Sequence, residues 1–258
     1  MDSFSIYVAR ASGLHHLNPI TKFILTLCLM FCGLILPGMW TTYFILLFIV
    51  IPLAIWGKVL PRLSQLVFNI SLPLIISVFL IQTLFWGKGT PIFEIGPFTP
   101  KWEGLAFSVT SAGRILFIMS DFILFSLTTR PDILMISLKQ SGLPSGLAYI
   151  IVTTLQLVPR FIAKANTILD AQRSRGLETQ GNILVRARAL LPLILPLVIG
   201  SLLEVEERAI AIEARGFNST HKETSLIEIS DSQTQKFFRF GLVVITIIVI
   251  LSRFLWRS

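Results

Sequence analysis

The chain has 258 residues, of which 53% are hydrophobic and 14% are charged, with a net charge of +8. Soluble domains carry about 25% charged residues, so this composition excludes an ordinary soluble domain. Together with a mean hydropathy of +0.78, it indicates an all-α polytopic membrane protein. The basic excess is interpreted as Lys and Arg in cytoplasmic loops beside the lipid bilayer, and no nucleic acid is expected as a partner.

Five apolar runs predict transmembrane helices. The run at 66–86 has 21 residues, which form a helix of about 31 Å and match the bilayer core. The other runs lie at about 20–36, 41–57, 104–127 and 237–256. We therefore expect about five spans, four of them within residues 1–130 and the last one after a linker within residues 221–258.

The distribution of Lys and Arg predicts the orientation of these spans. Basic residues cluster before the first span, after the second and after the fourth: Arg10, Lys22, Lys58, Arg62, Arg130 and Lys139. The Gly- and Pro-rich loop at 87–103 carries only Lys88 and Lys101. The positive-inside rule therefore places the N-terminus in the cytoplasm and this loop on the other side.

The region 131–220 has a different pattern. Two apolar stretches, 143–159 and 189–203, are each followed by an amphipathic tail with apolar residues at spacings of three and four. We expect prolines in these stretches to kink or delimit the helices: Pro159, Pro192 and Pro196. The pattern predicts two long amphipathic cytoplasmic helices, each with one apolar stripe and a charged face.

Both amphipathic tails end on the same signal. At an offset of forty residues they share the pattern A-x-x-[SA]-R-G-[LF], in which Gly stops a helix because it adopts the left-handed conformation at low cost. Arg suits the negative end of the helix dipole, and its guanidinium can also reach a partner's carboxylate through two hydrogen bonds. Two helix ends of this kind, which we call the tips, suit a dimeric partner with two equivalent grooves. The candidate residues are Ser174, Arg175, Gly176, Ala214, Arg215 and Gly216, supported by Ala171, Arg173, Ala211 and Glu213.

The paired endings resemble the hallmark of one family, the transmembrane T component (EcfT) of energy-coupling factor (ECF) transporters. In that family, Ala-Arg-Gly motifs end two long coupling helices. The family's N-terminal pattern Leu-Asp-Pro-Arg-x-Lys is similar to the segment from Leu17 to Lys22, where Asn18 replaces Asp and Ile20 replaces Arg. Asn followed by Pro still suits a helix cap and a first-turn proline. The resemblance covers nearly the whole chain.

This resemblance implies a non-catalytic scaffold in the cell membrane of a prokaryote. Its expected partners are two ABC-type ATPase subunits, as a homo- or heterodimer, and a small integral-membrane substrate-binding S component. The apolar faces at 162–172 and 202–212 would form the crossing of the coupling helices and the slide surface for that component. The transporter would import a vitamin or a trace metal such as cobalt or nickel. No cofactor is expected on this chain. It carries no G-x-x-x-x-G-K-[ST] motif, so ATP and Mg are assigned to the ATPase subunits.

Arg114 and Asp121 form a possible intramembrane polar pair in the fourth span. They are seven residues apart, and therefore lie on one face of a helix. Charges within a membrane are costly and are usually paired or functional. Two interpretations stay open, an intrachain salt bridge and a polar contact that positions another membrane subunit.

Two other functions are considered. A conventional ABC importer permease would couple through one short helix per subunit, which the duplicated endings argue against. A membrane-embedded lipid- or prenyl-modifying enzyme would need clustered acidic residues, for which the candidates are Glu204, Glu206, Glu207 and Glu213. No metal site is predicted from the isolated histidines His15, His16 and His221, and Cys28 and Cys32 are interpreted as small apolar positions.

Overall fold

The computed structural model describes residues 12–36, 38–85, 90, 101–177, 182–216, 229 and 231–257. The helices within these ranges are α1 (Gly13–His16), α2 (Pro19–Ile35), α3 (Thr41–Ile45), a π-helical segment (Leu46–Val50), α4 (Ile51–Trp56), α5 (Leu60–Phe85), α6 (Trp102–Thr128), α7 (Pro131–Gln140), α8 (Ser145–Ser174), α9 (Ile183–Ala214) and α10 (Gln233–Arg257). The predicted all-α polytopic class is confirmed. His221, most of the predicted loop at 87–103 and most of the linker after Gly216 lie outside the described residues.

The helices account for each of the predicted spans. The runs at 20–36, 66–86, 104–127 and 237–256 form α2, α5, α6 and α10, and the run at 41–57 is divided among α3, the π-helical segment and α4. Four described helices are long and apolar enough to cross a membrane: Leu60–Phe85, Trp102–Thr128, Gly146–Ser174 and Gln233–Arg253. Pro19–Ile35 and Thr41–Trp56 are apolar but shorter.

The prolines of α8 and α9 do not delimit these helices. Pro159 lies within the 30 residues of α8, and Pro192 and Pro196 lie within the 32 residues of α9. The predicted apolar stretches therefore continue into their amphipathic tails as single helices. A proline removes one backbone hydrogen bond, and a long helix keeps its others on both sides of the gap. As a consequence α8, which was not among the five predicted spans, has the length and apolarity of one.

By its internal contacts the chain divides into two compact units, Met1–Gly142 with Ile229–Ser258, and Leu143–Glu228. In the first unit the core is built around α6, whose buried Leu124 and Leu127 belong to one cluster with residues of α2, α4 and α5. Glycines allow the neighbouring helices to approach α6 closely. A Cβ on Gly33 would lie 2.2 Å from a ring atom of Phe117.

The last helix, α10, runs parallel to α2 in the first unit. Near its start, the Gln235 side chain bonds to Asn18 and Thr21 at the beginning of α2. Near its end, the Arg253 guanidinium donates to the Ile35 carbonyl, the last residue of α2. These bonds join equivalent ends of the two helices. If α2 and α10 both cross the membrane, they cross it in the same direction.

The beginning of α2 has the cap that the sequence predicts. The Ile20 backbone N–H donates to Asn18 Oδ1 at 2.9 Å, and Pro19 occupies the first helical position. Asn therefore performs the capping role expected for this segment, because its side-chain oxygen accepts a bond from an N–H group that has no partner within the helix. Cys28 is buried and Cys32 half-buried, and both are free thiols, as expected for small apolar positions.

The surfaces of α5 and α10 carry large apolar side chains. Phe68 on α5 is 62% exposed, and Phe240 on α10 is 71% exposed. An exposed apolar surface of this extent is unfavourable in water and favourable against lipid. The arrangement agrees with the assignment of both helices as membrane spans.

Candidate functional site

The end of α8 is a glycine-terminated cap. Gly176 has φ +90°, in the left-handed region that glycine adopts at low cost. The Gly176 N–H donates to the Arg173 carbonyl at 2.9 Å, and the Leu177 N–H donates to the Gln172 carbonyl at 3.0 Å. These two bonds define a Schellman motif, which satisfies carbonyls at the helix end. The predicted helix stop at Gly176 is confirmed.

The end of α9 repeats this geometry forty residues later. Gly216 has φ +73°, and its N–H donates to the Glu213 carbonyl at 2.9 Å. The Arg215 N–H donates to the Ile212 carbonyl at 3.2 Å, as the Arg175 N–H does to that of Gln172 at 3.0 Å. The sequence repeat is therefore also a structural repeat, in which both arginines occupy the position between the last helical residue and the left-handed glycine.

Both arginines are presented to the surroundings. Arg175 and Arg215 are exposed, and the guanidinium of neither has a hydrogen bond or ion pair among the described residues. The residue before each is small: Ala214 is exposed, and the Ser174 hydroxyl donates to the Asp170 carbonyl at 3.1 Å. The two guanidiniums are thus available for a partner, and a guanidinium matches a carboxylate or a phosphate through paired hydrogen bonds.

The supporting residues of the motif lie on exposed surface beside the tips. Ala171, Ala211 and Glu213 are exposed. Arg173 forms an ion pair with Asp170 at 3.3 Å, within α8 and at a largely solvated position. Solvated pairs of this kind contribute about 1 kcal/mol at most. Arg173 therefore belongs to the surface of α8, and its neighbour Arg175 extends beyond the helix end.

The contact between α8 and α9 lies before the tips. Lys164 Nζ is 3.6 Å from Glu204 Oε2, and Arg208 pairs with the other oxygen of the same carboxylate at 3.0 Å. The apolar faces at 162–172 and 202–212 do not form the crossing along their whole length, because Leu202 and Val205 stay 65% and 57% exposed. The slide surface expected on the same faces stays a prediction. On α9 the half-buried positions 201, 204 and 208 each lie one residue before the predicted positions 202, 205 and 209. One residue corresponds to a rotation of about 100°, so Glu204 faces α8 at the crossing.

The structure does not join the predicted polar pair in α6. Arg114 and Asp121 form no ion pair or hydrogen bond with each other in the part of the chain that the structure describes. Asp121 is 2% exposed, and it lines a cavity of about 20 Å³ together with Lys22 of α2. No ion pair joins Lys22 and Asp121, and Asp121 Oδ2 has no hydrogen-bond partner among the described residues, so the two charged groups share the cavity without direct contact.

Lys22 is held in place by backbone carbonyls. Its Nζ donates to the Thr128 carbonyl at 2.9 Å and to the His15 carbonyl at 3.4 Å. The first contact anchors α2 to the C-terminal end of α6, where carbonyls without partners within the helix carry partial negative charge. In the sequence, the signal for this contact between α2 and α6 is a Lys within the first turn of an apolar helix. Such a charge is buried when the helix packs, and it then requires a hydrogen-bond partner.

The acidic residues considered for an enzyme are not assembled into one cluster. Glu204 is engaged by Lys164 and Arg208, whereas Glu206, Glu207 and Glu213 are exposed. Among the described residues, no group of three or more His, Cys, Asp or Glu side chains could hold a metal ion.

The fold and the site define the class: a multi-helix membrane protein that presents two equivalent, exposed Arg-Gly helix ends. Sequence comparison agrees with this description. Residues 10–226 match the CbiQ family, described as "Cobalt transport protein". Three relatives share the name "Energy-coupling factor transporter transmembrane protein EcfT".

The relatives match over most of their length and over most of this chain. The protein of Thermosediminibacter oceani is 28% identical, covering 97% of each chain. Those of Exiguobacterium sibiricum and Bacillus subtilis are each 30% identical, covering 86% and 87% of this chain and 88% of their own. The chain belongs to the CbiQ family and is a transmembrane component of an energy-coupling factor transporter.

Proposed function

We propose that this chain is the scaffold that transmits ATP-driven motion from a dimer of ABC-type ATPase subunits to a small substrate-binding membrane subunit. The observation that carries the proposal is the pair of tips. Arg175 and Arg215 occupy the same position in two caps with the same backbone hydrogen bonds, and neither guanidinium has a partner in the described part of the chain. Two equivalent tips fit a dimer, whether its subunits are identical or merely similar.

In this mechanism the ATPase subunits hold ATP and Mg and supply the chemical step. Each guanidinium binds a carboxylate in a groove of one subunit, and the small residue before it lets the helix end approach closely. Closure of the ATPase dimer changes the separation of the grooves. The tips follow, α8 and α9 move, and the membrane helices re-orient the substrate-binding subunit, which takes up a vitamin or a trace metal. The family's description as a cobalt transport protein favours the metal.

The experiment compares Arg175→Ala, Arg215→Ala and the double variant in the complete transporter. Each single variant should weaken capture of the ATPase subunits by about 2 kcal/mol, or roughly 30-fold in Kd, as expected for an interface anchor. The double variant should abolish uptake while its amount in the membrane stays unchanged.

The matched control is Arg160→Ala, which removes the same charge from an exposed position of α8 away from its tip. It should leave ATPase capture unchanged. Normal uptake by the double variant would contradict the proposed coupling role.

A further inference from the structure

The offset of forty residues extends from the tips into the contact between α8 and α9. Seven pairs of positions at this offset are half-buried in both helices. The five pairs nearest the tips are Leu157 and Leu197, Phe161 and Ser201, Lys164 and Glu204, Ile168 and Arg208, Gln172 and Ile212. Their spacing of three and four residues defines one stripe on each helix. The two helices therefore use the same face, in the same register relative to their Arg-Gly ends, although only one of the five pairs has the same residue type twice.

The middle pair of this stripe is a charged contact between the helices. Each carboxylate oxygen of Glu204 forms an ion pair with a different cation. Lys164 Nζ of α8 lies 3.6 Å from Oε2, and the Arg208 guanidinium of α9 lies 3.0 Å from Oε1. Lys164 lies over Gly200, where an added Cβ would be only 2.9 Å from Nζ. The absence of a side chain at Gly200 therefore leaves the space that the ammonium group occupies. The three charged side chains are 26% to 34% exposed, so they are partly withdrawn from water.

This contact is equally far from the two tips. Arg175 follows Lys164 by 11 residues, and Arg215 follows Glu204 by 11 residues. We call the segments from Lys164 to Arg175 and from Glu204 to Arg215 the arms of α8 and α9. At 1.5 Å per residue each arm is about 16 Å long. Two arms of equal length that meet at one ion cluster have the geometry of a symmetric pair of levers.

We propose that Lys164, Glu204 and Arg208 form the pivot of α8 and α9, the point at which the helices are held together while their tips change separation. Arg208 orients the Glu204 carboxylate from within α9, and Lys164 connects it to α8. Without this contact the half-buried stripes consist mainly of apolar side chains, which allow one helix to slide along the other. With it, displacement of one tip is transmitted to the other arm. The consequence for transport rests on the proposed function, whereas the role at the crossing does not.

The test measures the separation of the tips directly in the full-length protein. Spin labels are placed at Ala171→Cys and Ala211→Cys, exposed positions of the two arms, after Cys28 and Cys32 are replaced by Ala. The distance distribution should be narrow in the parent. It should broaden in Glu204→Gln and in Lys164→Met, which each remove one charge of the interhelical pair, and it should stay narrow in Lys164→Arg, which keeps the charge.

The control is Glu207→Gln, which removes a carboxylate at an exposed position one turn further along α9. It should leave the distribution unchanged. A narrow distribution in both Glu204→Gln and Lys164→Met would overturn the pivot.

Uptake assays on the complete transporter separate this proposal from the preceding one. Glu204→Gln should lower the rate of uptake by about fivefold, in keeping with the modest strength of a partly exposed ion pair, while the amount of captured ATPase stays at the parental level. A broadened distribution with unchanged uptake would support the role of the ion cluster at the crossing and contradict its role in transport, whereas the docking role of Arg175 and Arg215 is tested by their double variant.

Discussion

At the scale of single residues, Lys22 and Asp121 are charged side chains in the interior of the first unit. They are 5% and 2% exposed, and they line the same cavity. A buried charge without compensation is strongly destabilising. No ion pair joins them, and Asp121 Oδ2 has no hydrogen-bond partner among the described residues. We therefore expect only a longer-range compensation across the cavity, with the carbonyl of Thr128 fixing the position of the ammonium group.

Replacing one of these residues should destabilise the protein, and replacing both should restore part of the loss. Lys22→Met should lower the free energy of unfolding by about 1–3 kcal/mol, because the Thr128 and His15 carbonyls lose their donor and Asp121 loses the cation that shares its cavity. Adding Asp121→Leu should recover more than about 1 kcal/mol of this loss. Denaturant unfolding of the purified protein in detergent measures each variant of the cycle. Arg114→Met is the control, and a coupling of Asp121 to Arg114 in place of Lys22 would contradict the assignment.

The sequence alone could not identify that Lys22 and Asp121 line the same cavity. Arg114 lies on the same helix face as Asp121, and such local neighbours can be read from spacing. Lys22 is on a different helix, 99 residues earlier, and its approach depends on how α2 packs on α6. Only the three-dimensional packing of α2 on α6 determines that Lys22, and not Arg114, lines the cavity beside Asp121.

At the scale of elements, Gln235 joins the first turn of α10 to the cap of α2. Its Oε1 accepts from the Asn18 N–H at 3.0 Å and from the Thr21 hydroxyl at 3.2 Å. Asn18 and Thr21 are buried, so loss of this acceptor leaves two polar groups away from water.

Gln235→Ala should therefore lower the free energy of unfolding by about 1–3 kcal/mol, the cost of leaving buried polar groups unsatisfied. Gln235→Glu keeps the accepting oxygen and should lose less. Thermal unfolding in detergent compares these variants with Gln233→Ala, an exposed position on the same turn, which should resemble the parent. Equal effects at positions 233 and 235 would contradict the role of the side-chain bonds.

Helix ends were predictable from the sequence, and the contacts between helices were not. The caps at Asn18, Gly176 and Gly216 depend on a few neighbouring residues and on backbone preferences, which are local properties. The continuation of α8 through Pro159 depends on the length of helix that remains on both sides. The contact of Lys164 with Glu204 depends on the register between α8 and α9, and a one-residue error in that register replaces an ion pair with apolar side chains.

At the scale of the whole molecule, the parallel course of α2 and α10 relates the side of the membrane on which α2 begins to the side on which α10 ends. If the N-terminal side of α2 lies in the cytoplasm, as the basic residues predict, and α10 crosses the membrane, α10 ends on the opposite side. Arg253 is then placed where the positive-inside rule disfavours a cation. Its bond to the Ile35 carbonyl offsets this, since carbonyls at a helix C-terminus carry partial negative charge.

Thiol labelling in intact cells tests this topology in a background with Cys28 and Cys32 replaced by Ala. A membrane-impermeant maleimide should label Ser258→Cys, after α10, and Trp40→Cys, an exposed position after α2. Ser232→Cys, exposed before α10, should be labelled only after the membrane is permeabilised, because α10 separates it from residue 258. Labelling of positions 232 and 258 from the same side would show that α10 does not cross the membrane. Labelling of position 232 alone would show that it crosses in the opposite direction, which would contradict the cytoplasmic assignment of the start of α2.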